Sequence, residues 1–353
     1  MRSWRQCTDW TSRRKKDGEL GVICEKSGAV CAGGAAAGGA DALAGFNPDT
    51  LRLYPEPTCK VLVDAIASYY GLGSDQVFVG VGSDDVLAMI FLTFFNSGKP
   101  VFFPDITYSF YDVWADMLRI PYETKALDDA FEIRVEDYYG ENGGVIFPNP
   151  NAPTGILMPL DKIEDIIAHN RDVIVGVDEA YIDFGGVSAL PLIEKYDNLL
   201  IVQTFSKSRS MAGMRIGYAM GNAKLIRYIN DVKYSFNSYT MNRTALALGV
   251  EAIRDRAYFE ETRTKIIETR EWTKEQLKRL GFSFRDSRTN FIFAAHESVP
   301  AVQIFDALRE KHIFVRHFSQ KRIDNYLRIS IGTREEMERF IEETEKIVAN
   351  AGK

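Results

Sequence analysis

Between residues 77 and 220 the chain repeats one pattern: a short apolar run, a cluster of polar or turn-forming residues, then a stretch with helical spacing. The runs are Val77-Phe78-Val79, Val101-Phe102-Phe103, Val145-Ile146-Phe147, Val173 to Val177 and Leu199 to Val202. They are rich in β-branched and aromatic residues, the pattern of a strand buried on both faces. Alternation of such strands with helices predicts an α/β fold, a mostly parallel sheet covered by helices on both sides. Open α/β sheets bind ligands beyond the carboxyl ends of their strands. The residues just past each run are therefore the functional candidates.

Past Leu199–Val202 comes Thr204-Phe205-Ser206-Lys207-Ser208, with Arg215 a little further on. A lysine there can form a Schiff base with an aldehyde, once desolvation or a neighbouring cation lowers its pKa. Ser206 and Arg215 suit a phosphate, one as a short hydroxyl donor and the other as a planar fork of donors. Together they suggest pyridoxal 5'-phosphate (PLP), which is both an aldehyde and a phosphate ester. The Val173–Val177 run ends in Asp178-Glu179-Ala180-Tyr181. PLP is an electron sink only while its ring nitrogen is protonated, and an Asp partner keeps it so. Taken singly, a Ser-Lys pair is ordinarily solvated surface, and such an aspartate ordinarily caps a helix or sits in a loop. At the ends of two parallel strands they point to a cofactor.

Val77–Val79 leads into Gly80-Val81-Gly82-Ser83-Asp84-Asp85 and an apolar helix. Glycines after a strand and a serine at a helix start leave amides and the helix dipole facing an anion, a second candidate for the cofactor phosphate. Tyr108, after Val101–Phe103, could stack on a flat heterocycle or simply pack on the core. The loop from Pro148 to Gly155 is rich in turn formers; its Asn151 amide could bond the cofactor's phenolic oxygen or serve only the turn.

From Tyr228 the spacing turns helical. After Gly281, short strands at 282–284, 290–293, 313–315 and 327–331 alternate with helices, which predicts a smaller α+β domain. The last helix, Arg334 to Ala349, opens with Thr333 and Glu336 spaced as a capping box. Arg316 and Arg328 lie in or beside these strands and need an anionic partner, from the protein or from a substrate.

Composition excludes more than it identifies. A formal charge of −6 argues against a nucleic-acid-binding surface. The longest apolar run, Val86 to Phe95 broken by Thr93, is too short to cross a bilayer. Neither the four cysteines nor the four histidines have metal-site spacing, and a reducing, cytoplasmic compartment is expected. Residues 1–45 differ from the rest: Met1 to Lys16 is basic, and Cys31 to Gly45 is nearly all Ala and Gly. Such a tract has little apolar volume to bury and is expected to be poorly ordered. An Arg-rich organellar transit peptide is the alternative.

From about Phe46 to the C-terminus the chain resembles the fold-type-I PLP-dependent aminotransferases, and among them the histidinol-phosphate aminotransferases of the class II subgroup. The resemblance rests on Leu53-Tyr54-Pro55-Glu56, Gly82-Ser83-Asp84-Asp85, Asn151-Ala152-Pro153-Thr154-Gly155, Val177-Asp178-Glu179-Ala180-Tyr181, Ser206-Lys207 with Ala212-Gly213 and Arg215, and Leu327 to Thr333. It implies an atypical segment at 1–45, a large PLP-binding domain at 46–250 and a small domain at 251–353. It also implies that Lys207 holds the cofactor aldehyde and then moves the Cα proton. Asp178 would pair with the ring nitrogen, Asn151 and Tyr181 would bond the phenolic oxygen, and Tyr108 would stack on the ring. Ser83, Asp84, Ser206 and Arg215 would hold the phosphate, with Tyr54 reaching it from the other subunit of a homodimer. Arg316 and Arg328 would bind the substrate's anionic end. The implied reaction exchanges an amino group between L-histidinol phosphate and 2-oxoglutarate, in histidine biosynthesis.

One departure stands out. The family carries an Asn-Glu-Asn-Pro-Tyr-like segment ahead of Tyr-Pro-Glu, and residues 1–45 contain nothing like it. A frame-disturbed translation of an ordinary segment would leave such a Gly/Ala run. The motifs are shared with aromatic aminotransferases and with PLP decarboxylases of phosphorylated amino acids. A PLP-fold effector-binding module of a transcription regulator would need a DNA-binding domain, for which residues 1–45 are too short.

Overall fold

The computed structural model describes residues 43–351, so the expectations for the basic and Gly/Ala-rich start lie almost wholly outside the described residues. Among the described residues, a seven-stranded sheet is laid down by β1 (Val77–Gly80), β2 (Val101–Pro104), β3 (Tyr122–Lys125), β4 (Gly144–Pro148), β5 (Val175–Asp178), β6 (Leu199–Thr204) and β7 (Gly217–Gly221). Its spatial order is β1-β7-β6-β5-β4-β2-β3. Strand β7 runs antiparallel to both of its neighbours, and the other pairs are parallel. The expected mostly parallel sheet is what the chain builds.

Period-two alternation explains the two covering layers. Val145, Phe147, Val177 and Ile201 face a core filled by α1 (Lys60–Tyr70), α4 (Leu160–His169) and α6 (Arg243–Arg254). Ile146, Phe103, Leu200 and Val202 face the opposite core, filled by α2 (Ser83–Phe94), α3 (Tyr111–Leu118) and α5 (Ala223–Phe236). Helix α1 ends where Gly71 takes φ +71°, a left-handed cap that a glycine adopts without strain.

The long helix α7 (Arg256–Arg279) leads to a second, four-stranded antiparallel sheet ordered β10-β11-β9-β8. Its strands are β8 (Phe282–Phe284), β9 (Phe291–His296), β10 (Arg316–His317) and β11 (Leu327–Ser330), and α8 (Ala301–Glu310) and α9 (Arg334–Ala351) pack on it. The capping box forms as predicted: Thr333 Oγ1 accepts from the Glu336 amide, and Glu336 accepts from the Thr333 amide. The strand expected at 313–315 is displaced, because pairing begins only at Arg316. A small apolar cluster of Ile106, Leu127 and Phe131 with Phe293 and Ile323 packs the two sheets' surroundings together. No described helix is long and apolar enough to cross a membrane.

Candidate active site

Parallel pairing puts Pro148 opposite Asp178, and Asp178 opposite Val202, so the residues that follow β4, β5 and β6 emerge at one edge. There they enclose a cavity of about 160 Å³. Its walls include Ser83, Asp84, Tyr108, Asp178, Tyr181 and Lys207, together with Ser206 and Arg215. Eight of the twelve residues expected at the site thus meet in one place.

Asp178 is the last residue of β5 and is 5% exposed. Burial pushes its carboxyl up to about 6, despite hydrogen bonds from the Ala180 amide at 3.1 Å and the Tyr111 hydroxyl at 3.3 Å. A carboxylate so placed favours a cationic ring nitrogen against it. The Lys207 ammonium nitrogen lies 5.2 Å from the centroid of the Tyr181 ring. Acid, tyrosine and lysine therefore share one small volume.

The opposite end is an anion cradle. Helix α2 begins at Ser83 after Gly82, whose φ is +87°, and no side chain caps its first amides. Those amides and the helix dipole face outward toward the cavity. Asp85 Oδ2 accepts from the Val81 amide at 2.9 Å and fixes the turn. A Cβ on Gly82 would lie 2.6 Å from an Arg215 guanidinium nitrogen, and one on Gly217 would lie 2.2 Å from the Ser83 amide. Two missing side chains thus let Arg215 and the start of α2 close on the same space. Asp84 links this end to the aromatic wall, accepting from the Tyr108 hydroxyl at 2.7 Å and pairing with Arg215 at 3.4 Å. Burial and the Asp84 charge hold the Tyr108 hydroxyl far above its ordinary range, so it stays a neutral donor.

The remaining four residues lie elsewhere. Asn151 is buried but turned away: its amide nitrogen donates to Ile106 O and Thr154 Oγ1, both at 3.0 Å, and Ala152 lines the cavity instead. Tyr54 is 78% exposed, its ring against Tyr239, and Arg243 donates to its carbonyl. Arg316 and Arg328 face each other across β10 and β11. Arg328 lies over the Phe291 ring, and Phe291 packs edge-on against Tyr181, so this arginine stands one ring behind the cavity wall.

Sequence reasoning missed Tyr111, whose buried hydroxyl supports Asp178, although it lies only three residues beyond Tyr108, at the start of α3. It also passed over Glu179, which faces away from the cavity. Burial raises that carboxyl to about 7, while Ser188, the Ala189 amide and Gln203 donate to it.

Residues 41–343 match the family model for aminotransferase class I and II. The histidinol-phosphate aminotransferase of Lactococcus lactis subsp. cremoris (strain MG1363) is 50% identical over 308 residues, 87% of this chain and 86% of that protein. The protein of the same name from Brachyspira hyodysenteriae is 48% identical over 310 residues, 88% of each. The crystal structure of histidinol-phosphate aminotransferase from Sinorhizobium meliloti in complex with pyridoxal-5'-phosphate superposes with a TM-score of 0.82 at 23% identity, covering 90% of this chain and 89% of that one.

Proposed function

The chain belongs to the class I and II aminotransferase family, and we propose that it transfers the amino group of L-histidinol phosphate to 2-oxoglutarate with pyridoxal phosphate as carrier. The observation that carries this reading is the single cavity in which an anion cradle, a lysine and a buried acid occupy different walls. The residues fit that cofactor: a phosphate needs the amides of α2 with Ser206 and Arg215, an aldehyde needs Lys207, and a basic ring nitrogen needs Asp178. Bound there, the cofactor supplies an electron sink for the substrate's α-carbon.

The chain's own residues have separable tasks. Arg215 and the start of α2 neutralise the phosphate and anchor one end of the ring. Asp178, supported by Tyr111, holds a proton on the ring nitrogen. Lys207 would take the proton from the substrate α-carbon as a general base and then give it up again as a general acid. Tyr108 covers a face of the ring. Arg328, with Arg316, meets the anionic end of the substrate, which for histidinol phosphate is a phosphate.

The working unit is a cytoplasmic homodimer in this reading. Leu51, Leu53, Tyr54, Phe236 and Tyr239 are exposed, and Tyr54 packs on Tyr239 while Arg243 binds the carbonyls of Leu53 and Tyr54. Such an apolar surface suits a second copy, whose site would receive Tyr54. The test is the visible absorbance of PLP-loaded protein. Bleaching by L-histidinol phosphate in preference to aromatic amino acids supports the substrate. A stable band with no response overturns the substrate, and no band at all overturns the cofactor.

A further inference from the structure

We infer that, among the described residues, Tyr181 is the only side-chain donor offered to the phenolic oxygen of the cofactor, and that Ala152 stands where a second donor would have to be. The inference rests on PLP being the ligand. In the pyridoxal ring the phenolic oxygen neighbours the aldehyde-bearing carbon, on the side away from the phosphate arm. The phosphate end of the cavity is taken by α2, Ser206 and Arg215, and the ring nitrogen by Asp178. Tyr108 is held toward the phosphate end by its hydrogen bond to Asp84. That leaves Pro148, Ala152, Ala180, Tyr181 and Ala212 for the phenolic edge, with Lys207 beside it. Of those five, only Tyr181 carries a side-chain donor, and its ring lies near the Lys207 nitrogen.

Asn151 cannot supply the second donor without breaking what it already holds. Its amide nitrogen joins Ile106 O to Thr154 Oγ1. Flipping the carboxamide would set its oxygen against the Ile106 carbonyl oxygen, so the chemistry fixes the orientation. Its Oδ1 is buried and has no hydrogen-bond partner among the described residues. The residue lines a separate cavity of about 140 Å³ with Asn149, Ile156 and Met158. Asn151 therefore braces the loop behind the wall. The Ala180 amide is also engaged, by Asp178.

The consequence concerns one proton. A donor to the phenolic oxygen favours its anion as a hydrogen-bond acceptor, which loosens the proton on the adjoining lysine–cofactor linkage. With one donor instead of two, that proton is held to higher pH.

The experiment is a pH titration of the visible band of PLP-loaded protein, with thermal unfolding in parallel. Ala152→Asn should lower the midpoint by roughly one pH unit, about the worth of one hydrogen bond. Ala152→Ser, a smaller donor, should move it in the same direction and serves if the asparagine does not fit. Tyr181→Phe should raise the midpoint. Asn151→Ala should lower the melting temperature and leave the midpoint where it was. A midpoint raised by Asn151→Ala as it is by Tyr181→Phe would show that the amide swings in, and would overturn the inference. So would an unmoved midpoint in both Ala152 variants. Absence of the band in the unmodified protein overturns the cofactor reading, and this inference with it.

Discussion

Ser208 Oγ donates to Asp183 Oδ2 at 2.5 Å. Ser208 follows Lys207, and Asp183 lies two residues beyond Tyr181, so this bond ties the loop after β6 to the loop after β5. Burial raises the Asp183 carboxyl above its ordinary range, with Ser208 and the Arg209 charge acting against that shift. The serine is 2% exposed, so water cannot replace it cheaply.

Ser208→Ala should therefore destabilise the cofactor-free protein by about 1.5–3 kcal/mol, the cost of leaving a buried charged acceptor short of a donor. Ser208→Thr, which keeps the hydroxyl, should recover most of it. Urea unfolding midpoints check both. Equal midpoints for the serine and alanine proteins would mean that the two loops are held by packing alone.

The buried acid Asp178 should cost the empty protein stability. Asp178 is raised in the folded state, from an ordinary value of 3.8 to about 6. A raised carboxyl contributes stability that is fully present below the unfolded value and is lost as pH rises through the folded one. Asp178→Asn removes that loss. Relative to the unmodified protein, it should gain up to about 3 kcal/mol between pH ~4 and pH ~8. Amino transfer should meanwhile collapse. Denaturation at the two pH values measures the difference, and a variant whose relative stability is flat with pH contradicts this account of burial.

Replacing Lys207 by alanine should abolish the visible band of the bound cofactor and lower amino transfer by at least about 10²–10⁴-fold, the usual range for a positioned acid–base group. The anion cradle remains. Retained affinity for a phosphate-bearing cofactor analogue, measured by calorimetry, separates loss of chemistry from loss of the site.

The exposed tyrosine allows a test of shared sites. Tyr54→Ala and Lys207→Ala should each impair a homodimer. A hybrid dimer holds one site with both an intact Lys207 and the partner's intact Tyr54. Co-expression of two differently tagged variants, followed by tandem purification, should therefore recover activity. Hybrids no more active than the Tyr54→Ala homodimer would place that side chain outside the partner's site.

Much of the site was legible because its key residues sit where apolar runs stop. Asp178 and Lys207 follow Val173–Val177 and Leu199–Val202, and a run that is apolar at every position announces both a buried strand and its edge. Tyr111 was not legible, since its pairing with Asp178 joins a helix start to the end of a distant strand. Of the adjacent Asn151 and Ala152, which one lines the cavity depends on the path of the backbone, which residue type does not reveal. Strand β7 gave no signal either. Two of its five residues are glycine, Gly217 leaving room for the Ser83 amide and Gly221 for Leu199 and Leu200, at the expense of strand propensity. The arginine strand was misplaced for a different reason: Ile313-Phe314-Val315 has the residues of a strand but no neighbour to pair with.

The position of β7 has a consequence for synthesis. Val77 pairs with Met220, and Gly80 with Gly217, so β1 has no partner in the sheet until β7 has been made. On the ribosome the chain emerges from its N-terminus, and β1 must wait through the translation of β2 to β6 with its amides and apolar side chains unmatched. The proposed phosphate cradle waits with it, because the start of α2 meets Gly217 and Arg215 only when that pairing closes. On the proposed reading, a nascent chain short of residue 217 would hold Lys207 and Asp178 without the closed cradle, and cofactor capture would then mark the completion of the sheet.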